Sequence, residues 1–217
     1  MKKIGLIILT VFLSVSAYSQ FGVKAGADYG TLAGREAATY RWGFHGGFTY
    51  DFQIAEKLYI QPAALFSLHS FGFKEKDYIN HGQVNKFMVE MPVNFSFRPQ
   101  ISYSYDVKLV VDLGPYIKYG IGGDKDIVLQ NLLWGSNRVK GSAFDDSYVN
   151  DEYKPGHPYD TKETFQFNRL DVGVNVGIGV EVTKIYAGIS YQYGFLDGEK
   201  DNSVHNSIFR FSLGYRF

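Results

Sequence analysis

The sequence contains no cysteine, which excludes a disulfide framework, a thiolate metal site and a lipidated N-terminal cysteine. It has no net charge either, with 22 Lys and Arg against 22 Asp and Glu, so it carries no electrostatic footprint for nucleic acid. Beyond the first twenty residues there is no long apolar run, which excludes a helical membrane protein. What is abundant instead is aromatic residues, at 17%, together with 24 glycines, a mixture that suits many strands.

The first twenty residues stand apart. Lys2 and Lys3 precede an apolar run from Ile4 to Val15, too short to cross a bilayer as a helix. Ala17 and Ser19 are small residues where a signal peptidase reads. The pattern predicts a signal peptide over 1–19, cleavage before Gln20 and one exported domain over 20–217. Loss of the two lysines leaves a net charge of about −2.

The mature chain alternates. At its end Ser207, Phe209, Phe211, Leu213, Tyr215 and Phe217 share one parity, while Asn206, Ile208, Arg210, Ser212, Gly214 and Arg216 share the other. That is a period-two strand with an apolar face. Seven earlier segments repeat the pattern, over 21–32, 42–52, 58–71, 85–97, 107–121, 165–182 and 185–195. Pro62 lacks a ladder donor and weakens the third. In order the connections 33–41, 53–57, 72–84, 98–106, 122–164, 183–184 and 196–205 have about 9, 5, 13, 9, 43, 2 and 10 residues, so the first, third, fifth and seventh, taken together, form the longer set. This predicts an all-β fold, an eight-stranded antiparallel up-and-down transmembrane β-barrel, with long extracellular loops on one rim and both termini on the periplasmic rim. An exposed final strand would be a sticky edge, and a closed barrel removes it.

A soluble lipocalin-like barrel is the competing architecture, with the apolar face turned inward. Each strand carries about five bulky residues on that face, whereas an eight-stranded interior has room only for ordinary side chains or one small ligand. The bulky face is therefore expected to meet lipid. The polar parity then lines the lumen with Lys24, Asp28, Asp51, Lys86, Glu90, Lys108, Asp112, Lys118, Arg169, Asp171, Glu181, Arg210 and Arg216. Acids and bases nearly balance, which predicts a plug of ion pairs and not a water channel.

Other chemistry is weaker. Gly173, Gly177 and Gly179 lie on alternate residues of a strand and precede no helix, so they form no phosphate-binding loop. His45 and His69, with Ser67 and Ser70 near the latter, suit a rim hydrolase, but no spacing singles out a triad, and capped lumen histidines are the better reading. Acids of the long loop, among them Asp124, Asp145 and Asp151, form no calcium-binding loop of known spacing. Ile127 to Trp134 is an apolar patch inside that loop. It is left free to cover the barrel mouth, touch the outer leaflet or meet a protein partner, and Trp134 is the candidate contact. No catalytic residue, cofactor or metal is expected.

The terminal strand ending in Phe217 resembles the assembly signal of bacterial outer-membrane barrels, which implies lipid and the assembly machinery as partners. Five further stretches resemble the PorT-like outer-membrane β-barrel family of the Bacteroidota. These are F-G-V-K-A-G from Phe21, L-Y-I-Q-P-A-A-L-F-S from Leu58, V-E-M-P-V from Val89, L-G-P-Y-I from Leu113 and L-D-V-G-V-N-V-G-I-G-V-E from Leu170. The resemblance implies an outer-membrane location and a non-enzymatic structural or partner-binding barrel. An accessory role in a secretion or gliding machinery is the alternative it implies, and a rim-site lipid hydrolase is a third reading.

Overall fold

The computed structural model describes residues 19–35, 38–75, 79–131, 135–145, 166–200 and 203–217. Every regular element among them is a strand: β1 (Ser19–Ala33), β2 (Ala38–Ala55), β3 (Leu58–Glu75), β4 (Ile79–Phe97), β5 (Gln100–Ser102), β6 (Val107–Asn131), β7 (Gly135–Ser142), β8 (Leu170–Val182), β9 (Ile185–Gly194) and β10 (His205–Arg216).

Eight of the ten close a ring in which each strand pairs antiparallel with its neighbours. The order is β4-β3-β2-β1-β10-β9-β8-β6, and β6 returns to β4. The first and last strands seal the barrel through Val23↔Tyr215 and Asp28↔Arg210. Every ring edge is thus paired, and no ladder of bare amides faces outward from the wall. The two remaining strands lean on β6, β5 at its start and β7 at its far end.

The wall faces as alternation requires. In β4, Val89, Met91, Val93, Phe95 and Phe97 are exposed while Glu90, Asn94 and Ser96 are buried. In β8, Val176, Ile178, Val180 and Val182 face out against buried Asn175 and Glu181. Aromatic rings gather toward both rims of this apolar band, as in lipid-spanning barrels. Tyr29 stacks on Tyr40 at 4.9 Å on the loop side, and Phe21 on Phe48 at 5.4 Å on the turn side. Pro62 does not break β3, which keeps one register with β4 from Pro62↔Val93 to Ser67↔Met88.

The strands run further than hydrophobic alternation indicates. β2 starts at Ala38, β3 continues to Glu75, β4 starts at Ile79 and β6 reaches Asn131. Much of the expected loops 33–41 and 72–84 is therefore strand. Part of the expected loop 122–164 is a hairpin, β6 against β7, with Ile127↔Val139 and Asp124↔Ser142. Beyond the lipid band both faces of a strand can be polar, so the backbone ladder continues where the side-chain period stops. In the other direction, the strand expected from residue 165 begins at Leu170, and Phe167 makes only an isolated bridge to Glu199. The leader expected over 1–19 lies, except for Ser19, outside the described residues.

Candidate functional site: a lumen closed in three layers

The middle of the lumen is organised by Arg210. Its Nε and Nη2 donate to Asp28 Oδ1 and Oδ2 at 2.9 and 3.1 Å. Nη1 and Nη2 donate to Glu90 Oε1 and Oε2 at 2.8 and 2.9 Å. Lys118 balances the second carboxylate. Its Nζ lies 3.6 Å from Glu90 Oε2 and donates to Gln192 Oε1 at 2.6 Å, while Gln192 Nε2 donates to Glu90 Oε1 at 2.7 Å. Two anions thus face two cations with most of their hydrogen-bonding capacity used, the condition under which buried charge persists.

Both histidines belong to this layer. His45 Nδ1 lies 2.7 Å from Asp28 Oδ1, its Nε2 lies 3.0 Å from Ser212 Oγ, and His69 Nε2 is 3.6 Å from Asp28 Oδ2. The ring of His45 fits because its cross-strand neighbour is Gly26. A Cβ there would stand 2.8 Å from His45 Cε1 and collide with the Phe211 carbonyl. The Asp28–His45–Ser212 order of contacts is that of a hydrolase relay. Ser212, however, faces a cavity of about 20 Å³, room for a water and not for an ester substrate.

Below, on the turn side, Asp51 is the hub. Arg98 donates to it from Nη1 and Nη2 at 2.6 and 2.9 Å, Gln61 at 2.6 Å and Arg216 at 3.3 Å. Glu181 pairs with Arg216 and lies 3.7 Å from both Arg98 and Lys108. Between this floor and the middle layer, Lys24 donates to Gln61 at 3.3 Å and sits over the Tyr186 ring. Gly179 and Gly188 leave the space that this ring fills. Among the described residues, Asp112 Oδ1 is buried without a hydrogen-bond partner. It borders a second cavity, of about 30 Å³.

The loop-side mouth is apolar. Leu32, Phe71, Phe73, Val84, Met88, Ile127, Ala143, Phe144, Phe167 and Val204 form one buried cluster, drawn from the loop-side ends of β1, β3, β4 and β6 and from the segments before β8 and β10. Arg35 and Glu199 form an ion pair over it, with the guanidinium 4.0 Å from the Phe73 ring. Lys86 lies beneath, donating to Asn206 at 3.2 Å and facing the Phe71 ring at 5.1 Å.

Of the thirteen charges expected inside, Lys24, Asp28, Asp51, Lys86, Glu90, Asp112, Lys118, Asp171, Glu181, Arg210 and Arg216 point into the lumen. Lys108 stands at its turn-side rim with a quarter of its side chain exposed. Arg169 is a correction. It precedes the first residue of β8, so strand parity no longer governs it, and it is exposed, donating to the Gly120 carbonyl and lying 3.8 Å from Asp145. Asp171 accepts from Tyr116 at 3.2 Å. Phe217 is exposed and stacks on Phe21 at 6.0 Å, while Trp134 lies outside the described residues. Sequence reasoning missed Arg98, assigned to a turn although it continues the lumen parity of Asn94 and Ser96. It also missed the apolar mouth, whose signal was Phe71 and Phe73 on the same parity as Gln61 and His69.

A closed eight-stranded ring with an apolar outer wall, aromatic rims and a charge-filled interior defines a lipid-spanning barrel. The chain belongs to the outer membrane protein beta-barrel domain family, whose model matches residues 14–198, and it is located in the outer membrane. Among solved structures it is similar to the attachment invasion locus protein Ail of Yersinia pestis at 17% identity, over 92% of this chain and 99% of that one, with a TM-score of 0.41. It is also similar to Neisserial surface protein A at 12% identity, over 91% and 97%, with a TM-score of 0.48. The N-terminal barrel domain of Pseudomonas aeruginosa OprF matches at 11%, over 92% and 99%, with a TM-score of 0.29. No curated protein matches the sequence.

Proposed function

We propose that this chain is a non-conducting, non-enzymatic outer-membrane barrel that displays its loop-side sheet to a protein partner outside the cell. One observation carries the reading. The lumen is filled at three levels, while β4, β6 and β7 continue together past the mouth, through Ile79↔Leu129 and Leu129↔Asn137. A filled interior offers neither a conduction path nor a substrate cleft, which leaves the projecting sheet as the surface where specificity can reside. The orientation follows from the same reading, with the turn side periplasmic and residues 1–19 a removed leader.

Replacing residues 129–137 by a two-residue Asn-Gly turn shortens the hairpin but spares Ile127 and Phe144, which seal the mouth. The shortened protein is expected to remain a heat-modifiable barrel yet fail to restore the phenotype of a deletion strain. Full complementation would overturn the display role.

The finer placement among PorT-like barrels, and with it an accessory role in secretion or gliding, is the second reading. It is supported by the five quoted stretches, all of which lie in wall strands β1, β3, β4, β6 and β8. Loss of cargo secretion in the deletion strain supports it, and undisturbed secretion removes it.

A further inference from the structure

Three connections cross the turn side of the barrel. Two are tight and polar, at Glu56 and Lys57 and at Thr183 and Lys184. The third, from β4 to β6, is longer and is built differently. It starts at Arg98, whose guanidinium turns inward onto Asp51 and over Tyr59. The chain then turns back along β6 as β5, paired through Gln100↔Lys108 and Ser102↔Val107, with Leu109 N donating to the Pro99 carbonyl at 3.0 Å.

The polar groups at the base of this turn are engaged within it or on the barrel, while Ser104 is exposed. Gln100 Nε2 donates to Asp106 Oδ1 at 3.3 Å, Lys108 Nζ lies 3.4 Å from the same oxygen, and Thr183 N donates to the Asp106 carbonyl at 3.0 Å. Asp106 closes the turn in the left-handed region, at φ 44°. The remaining large side chains have no such engagement. Ile101 is 62% exposed, Tyr103 83% and Tyr105 76%, so three apolar or aromatic groups project within five residues.

A patch of this kind is costly in water. It is also continuous with an interface already described, because Phe97 and Val111, the outward residues of the strands it joins, are exposed in the apolar wall. Tyrosine favours the zone between acyl chains and headgroups, where its ring is apolar and its hydroxyl wet. We propose that residues 98–106 form a lipid-contacting foot, in which Ile101, Tyr103 and Tyr105 insert into the headgroup–acyl boundary of the turn-side leaflet and fix the depth of the barrel on its β4–β6 side. The phospholipid surface is the occupant: the charged groups at the base of the turn, Asp106 and Lys108, are paired with each other, and the projecting side chains run on into the lipid-facing wall through Phe97 and Val111, whereas a protein interface is ringed by polar groups.

Tyr103→Trp and Tyr105→Trp, each in a full-length background with Trp42→Phe and Trp134→Phe, place a single fluorophore on the foot. In phosphatidylcholine vesicles the expected emission is blue-shifted, quenched several-fold by lipids brominated near the headgroup end of the chain, and shielded from aqueous acrylamide. Heat modifiability verifies that each variant is folded. Emission at the wavelength of water-exposed tryptophan, quenched by acrylamide and not by brominated lipid, would overturn the foot and make the turn a surface for a soluble partner. The outcome is independent of the loop-side display role, which lies at the opposite rim.

Discussion

Arg210 of β10 and Glu90 of β4 meet across the lumen through two parallel hydrogen bonds, Nη1 to Oε1 at 2.8 Å and Nη2 to Oε2 at 2.9 Å, although 120 residues separate them in the chain. The same guanidinium holds Asp28 on the neighbouring strand, so one side chain ties the barrel seam to its opposite wall.

Removing that cation leaves two buried carboxylates facing Lys118 alone. Arg210→Met is expected to destabilise by about 3–5 kcal/mol. Arg210→Met combined with Glu90→Gln again leaves one anion, Asp28, and one cation, Lys118, and is expected to be more stable than the single variant. Urea unfolding in lipid vesicles measures both. A double variant weaker than the single one would show that charge balance does not govern the layer.

Gly26 and Gly46 lie on neighbouring strands but on opposite faces. A Cβ at Gly26 meets the Phe211 carbonyl and His45, whereas at Gly46 the nearest atom is Ala25 Cβ at 3.7 Å. Gly26→Ala should therefore cost about 1–3 kcal/mol through forced shifts, and Gly46→Ala about 0.5 kcal/mol or less. Equal costs in the same unfolding assay would mean that His45 is not held by close packing.

The apolar mouth is expected to be the loop-side seal. Since the chain has no cysteine, Met88→Cys, at a position 1% exposed, creates a unique thiol within it. A membrane-impermeant thiol reagent added from the loop side should label it slowly. In a Phe144→Ala, Phe167→Ala background labelling should accelerate by about an order of magnitude, because each truncation leaves a void that water can enter. Retained heat modifiability separates opening from unfolding, with Phe167→Ala alone as the milder variant. Unchanged labelling in a folded variant would show that Phe144 and Phe167 do not form the loop-side seal.

Alternation, with the connection lengths, determined the eight strands of the wall, their antiparallel order and the outward face, because a residue in a two-sided wall between lipid and a narrow lumen must repeat every second position. It also marked eleven of the charges that point inward. It failed where that constraint ends. Arg169 precedes its strand and turns out, Arg98 lies past the last wall residue and turns in, and the β6–β7 hairpin is held by backbone hydrogen bonds that impose no side-chain period. Which charges meet was likewise decided only by closure of the ring, since Asp28 and Arg210 stand 182 residues apart in sequence. The apolar mouth required the same closure. Phe71 comes from β3, Phe144 and Phe167 from the segment between β7 and β8, and Val204 from the segment before β10, and only when the barrel brings those ends together do they have one another to bury against.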